Sequence, residues 1–95
     1  MIKHIVMFKL ADKNNKDIEE LERMLLGLKE KIAVLESLEV GVNYADSERA
    51  MDLVLVTTFE NRDALESYRI HPDHQLVVLR VKELCSQSKV VDFEF

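Results

Sequence analysis

Ile2-Lys3-His4-Ile5-Val6-Met7-Phe8-Lys9-Leu10 is the stretch that decides the fold. Ile2, His4, Val6, Phe8 and Leu10 point one way; Lys3, Ile5, Met7 and Lys9 point the other. A period of two sustained from 2 to 10 is a strand. One face is apolar apart from His4. The other has an apolar centre, Ile5 and Met7, between two lysines. A strand that is apolar on both faces needs cover on both, and that need shapes the rest of the reading.

Downstream of this strand, Asn14, Asn15 and Asp17 are candidate caps. Ile18, Leu21, Leu25, Leu28, Ile32 and Leu35 then recur three or four apart, a helical stripe of about five turns. Acids come early in it and bases late, matching the helix dipole. Leu38, Val40, Val42 and Tyr44 alternate with Glu39, Gly41 and Asn43 as a second strand. After a turn over residues 45–51, residues 52–59 form a third strand that is apolar on both sides. Asn61 caps a short helix carrying Ala64, Leu65 and Tyr68. Pro72 ends that helix and opens the next, which uses Leu76, Val77, Val81 and Leu84. Residues 86–88 read as a turn, and residues 89–95 as a last strand with Val91, Phe93 and Phe95 on one face.

The order is strand, helix, strand, strand, broken helix, strand. This predicts an α+β, ferredoxin-like βαββαβ fold over residues 1–95, with a four-stranded antiparallel sheet and its helices on one face. The helices cover the His4 side. The Ile5 and Met7 side is left bare, which is a liability in water. A second copy packed sheet to sheet is the economical cover, so a homodimer is expected.

Composition narrows the function classes. The chain has 95 residues, 13 basic against 18 acidic, and a net charge of −5. That balance disfavours a nucleic-acid partner or an anionic membrane surface. No apolar run approaches the ~20 residues of a membrane span. The single cysteine, Cys85, excludes an internal disulfide and a cysteine-based zinc cluster. With no export signal, it points to the cytoplasm. Cys85 reads as a buried structural thiol, since only Lys82 stands near it as a base. Gly27 and Gly41 stand alone, so there is no phosphate-cradling loop.

Three histidines remain as candidates for chemistry. His71 and His74 flank Pro72 at a spacing that lacks the glutamate–histidine framework of a zinc site, so no metal is expected. His4 on the helix-covered face is either a satisfied core histidine or a pocket wall. Tyr68 and His74 lie too far round a continuous helix to meet, but the break at Pro72 lifts that restriction. A phenol and an imidazole brought together have a chemical use: the imidazole takes a proton and the phenol donates to an enolate oxygen. Alternatively Tyr68 is an amphipathic wedge. The expected pocket, between sheet and helices, carries His4, Val6, Phe8, Leu25, Tyr68 and His74, with His71 at its rim.

The strand Ile2–Leu10 and the segment Tyr68-Arg69-Ile70-His71-Pro72-Asp73-His74 together resemble the stress-responsive A/B barrel family. The resemblance covers residues 1–95 and implies a dimeric α/β barrel. In a plant polyketide cyclase of that family, the residues matching His74 and Tyr68 serve as base and oxyanion donor in a ring closure without cofactor. Those matching His4 and His71 lie in or near its cavity. The resemblance therefore implies a small dimeric protein binding an apolar or acyl-type ligand, or a cyclase-like lyase using His74 and Tyr68. A haem-degrading or quinone-forming monooxygenase, which shares the dimeric barrel, is disfavoured by the absence of tryptophan.

Overall fold

A computed structural model describes residues 1–95, in the order β1 (Ile2–Leu10), α1 (Asn15–Lys31), β2 (Ser37–Val42), β3 (Leu53–Phe59), α2 (Arg62–Ile70), α3 (Pro72–Leu84) and β4 (Cys85–Glu94). All strand pairs are antiparallel and the sheet order is β2-β3-β1-β4. This is the ferredoxin-like arrangement, with β1 and β3 central.

The alternation in β1 sorts as its sequence dictates. Ile2, His4, Phe8 and Leu10 are buried beneath the helices, and Met7 is exposed. Leu53, Leu55, Thr57 and Phe59 of β3 join them on the covered side. From α1 come Leu21, Leu25 and Leu28, each about 1% exposed or less. Burying each such side chain contributes roughly 1.5–3 kcal/mol. Asn14 caps α1 by accepting from the Asp17 N–H at 2.9 Å, and Asn61 caps α2 by accepting from the Ala64 N–H at 2.8 Å.

The boundaries differ from expectation in three places. The apolar stripe of α1 outlasts the helix. Ile32 is its extended C-cap, donating to the Leu28 carbonyl, yet Ile32 and Leu35 still fill the core from the connection. Tyr44 lies beyond β2 and is fully exposed. The expected turn at residues 86–88 is strand. Cys85 caps α3 and pairs with Leu10, so α3 passes into β4 with no intervening loop.

The uncovered face of the sheet is apolar at its centre. Ile5 pairs with Val56 on one side and Val91 on the other, and Lys3 with Thr58 and Phe93. Val91, Phe93 and Phe95 are all exposed, and Lys3 Nζ lies 4.8 Å from the Phe95 ring centre.

Candidate functional site

Between α1, α3 and the covered side of the sheet lies a cavity of about 170 Å³. Its middle is apolar, walled by Val6, Leu25, Leu55, Val77 and Val81. Three polar rings close one end: His4 from β1, Tyr68 from α2 and His74 from α3. A larger depression of about 590 Å³ lies on the opposite side of the sheet, beside Met7, Val54 and Lys89. It holds none of the histidines and belongs to the uncovered face.

Local sequence places each ring. His4 stands in the inward register of β1, and its Nδ1 bonds the Asp92 carboxylate, which β4 holds directly opposite. Tyr68 is on the inward stripe of α2 and is 1% exposed. Pro72 then turns the chain and starts α3. His74 falls in the first turn of α3, where its Nδ1 meets the Arg69 carbonyl at 3.0 Å. A carbonyl only accepts, so this bond puts the proton of a neutral ring on Nδ1 and the lone pair on Nε2.

The rings form a chain. The centroids of His74 and Tyr68 are 4.3 Å apart, those of Tyr68 and His4 6.1 Å, and those of Tyr68 and Phe59 5.1 Å. Burial pushes the Tyr68 phenol up to about 12, so it stays protonated and able to donate. Burial also lowers His74 below the ordinary histidine value, outweighing the Arg69 carbonyl, which favours the charged ring. A neutral imidazole beside a protonated phenol is the protonation pattern that proton abstraction requires.

The pocket expected from the sequence thus brings together His4, Val6, Phe8, Leu25, Tyr68 and His74. His71 is not among the lining residues. Its Nδ1 accepts from the Asp73 N–H at 3.1 Å and caps α3, so that nitrogen is committed to the helix terminus. Asp92, Lys82 and Ser88 were missed. Asp92 alternates with Val91 and Phe93 and so faces the helices, but only the pairing of β4 with β1 puts it on His4. Cys85 is half-buried rather than fully buried, and burial, then the Asp52 charge, raises its thiol away from nucleophilic character.

The fold and site define a class: a ferredoxin-like domain with a small ring-capped cavity on the helical side of its sheet and an apolar face on the other. Comparison with known proteins places it within that class. The stress responsive A/B barrel domain family matches residues 2–95, and the chain belongs to this family. It is 32% identical, over the full length of both chains, to an uncharacterized protein of Streptomyces coelicolor. Among solved structures, it resembles a dimeric protein of unknown function and ferredoxin-like fold from Bacteroides fragilis. That match has a TM-score of 0.84 and 29% identity, and covers 99% of this chain and 95% of the other. The hydroxynitrile lyase of Passiflora edulis shares the fold, with a TM-score of 0.85 at 13% identity, covering 97% of this chain and 90% of that one.

Proposed function

We propose that the protein is a homodimer that binds a small apolar or acyl-type ligand in the cavity between helices and sheet. The observation that carries this reading is a cavity with an apolar middle and three polar rings gathered at one end. A few polar groups fixing the orientation of a ligand in an apolar pocket is the ordinary design of a small-molecule site. The dimer is supported by the exposed row of Met7, Val91 and Phe93 and by the dimeric Bacteroides relative. The two sheets would face each other through Ile5, Met7, Val54 and Val56.

The test is a thermal-shift screen with short acyl and β-keto acids. A ligand present at ~100 times its Kd stabilises by about 2.7 kcal/mol, a readable rise in Tm. The rise should shrink in His74→Ala and vanish when Val77→Phe fills the cavity. If no acyl compound stabilises the wild-type protein, the reading is wrong.

A second reading is favoured by the contact between Tyr68 and His74. In it the protein is a cofactor-free, cyclase-like lyase. His74 Nε2 takes a proton from a carbon beside a carbonyl, and Tyr68 donates to the enolate oxygen. Release of product from β-keto substrates, slowed at least tenfold in Tyr68→Phe, would establish it. Binding without turnover leaves the first reading.

A further inference from the structure

We propose that the cavity selects a small carboxylate, its carboxylate group held at Lys82 and Ser88 and its other end presented to Tyr68 and His74. This rests on the cavity being a ligand site, as above, and adds the class of ligand and its direction.

The two ends of the cavity are chemically different. Lys82 on α3 and Ser88 on β4 both line it. From His74 to Lys82 the axial rise along α3 is about 12 Å. On the opposite wall, Ser88 pairs with Phe8 of β1 as Asp92 pairs with His4, a separation of about 13 Å along the strand. Both walls therefore put Lys82 and Ser88 at the end remote from the rings, with Val6, Leu25, Val77 and Val81 between.

Lys82 is available to a ligand. Lys82 takes part in no ion pair of the chain, and its neighbour Glu83 lies 3.7 Å from Arg80. No acid lines the cavity. The chain as a whole carries −5 and repels anions, so a local cation at the mouth is what would admit one. One ammonium and one hydroxyl match a carboxylate. A phosphate calls for more donors, such as an arginine fork or a row of backbone N–H groups. Size points the same way. About 170 Å³ is below the ~300–1,000 Å³ of drug-sized pockets.

The experiment is an NMR titration of the full chain with hexanoate, 1-hexanol and hexyl phosphate at fixed ionic strength. Hexanoate should bind about fivefold more tightly than hexanol, the scale of one solvent-exposed ion pair. Contacts from its methyl end should fall on Tyr68 and His74. Lys82→Met should abolish the preference for hexanoate over hexanol, and Lys82→Arg should retain it. Lys82 is exposed, so neither change threatens the fold. Equal binding of hexanoate and hexanol, a preference that survives Lys82→Met, or tighter binding of hexyl phosphate overturns the carboxylate assignment and leaves the cavity reading standing. Failure of all three to bind overturns both.

Discussion

The Tyr68 and His74 rings lie 4.3 Å apart between centroids, with their planes inclined at 48°, although a continuous helix would set them ~120° apart. The contact exists because Pro72 divides α2 from α3 and His71 seals the new helix start by accepting from the Asp73 N–H. Tyr68 packs on Phe59 at the same time, so its ring belongs to the core while its hydroxyl belongs to the cavity end.

Substitutions at Tyr68 should separate those two roles. Tyr68→Phe keeps the ring and should change stability by less than about 1 kcal/mol. Any enolate-forming turnover should fall at least tenfold with KM nearly unchanged. Tyr68→Ala should cost about 3–5 kcal/mol, the usual loss for an emptied aromatic core site. Urea denaturation and steady-state kinetics on the two variants check both halves.

The pH dependence follows from burial of the same pair. His74 is lowered below the ordinary 6.5, so between that folded value and 6.5 the unfolded chain binds the extra proton. The His74 contribution to stability is therefore complete above pH 6.5 and is lost as pH falls through the window below it. His74→Gln should flatten that part of the stability–pH curve. Tyr68 should resist ionisation until about pH 12, which absorbance at alkaline pH reads directly.

Met7→Asp tests the bare face. Met7 is 37% exposed and lies between Val54 and Lys89 in the sheet register. Wild-type protein should sediment as a dimer at micromolar concentration, burying on the order of 1,500 Å². The variant should sediment as a monomer and be less soluble. A wild-type monomer would falsify the pairing.

Asp92→Asn should destabilise by about 1–2 kcal/mol. It removes the carboxylate that bonds Nδ1 of a histidine only 9% exposed. The change should appear as a lower denaturation midpoint at constant m-value. His4→Phe should make Asp92→Asn nearly silent, because the two act through one bond.

Much of this was legible in the sequence for a physical reason. The inward face of β1 and the stripe of α1 are periodic, and period reports burial directly. Those two features alone fix strand, helix and the wall carrying His4, Val6, Phe8 and Leu25. Residues 86–88 misled because serine, at both Ser86 and Ser88, is a turn former. Here Gln87 pairs with Lys9 and Ser88 with Phe8 on an edge strand, where polar side chains are tolerated. The same error hid Ser88 from the cavity. Lys82 was legible only as a charge beside Cys85, because the direction of a side chain near a helix end depends on what the helix packs against. His71 was misplaced for the converse reason. A histidine before proline can cap or can face a pocket, and spacing does not choose between them.

The direct passage of α3 into β4 bears on how the cavity fills. Cys85 is both the last cap and the first paired residue, so the helical wall has no slack at its end. Lifting α3 like a lid would tear Cys85 from Leu10 and break the Ala11 N–H bond to the Leu84 carbonyl, 2.9 Å long. Entry past the exposed Lys82 and Ser88 side chains, which line the cavity, needs neither break. Exchange of ligand would then follow side-chain rotation, on picoseconds to nanoseconds for exposed groups, rather than the microsecond-to-millisecond motions of closing elements. A wall of this kind trades induced fit for speed: the cavity is preformed, and under the proposed reading discrimination among ligands would rest on the groups fixed at its two ends.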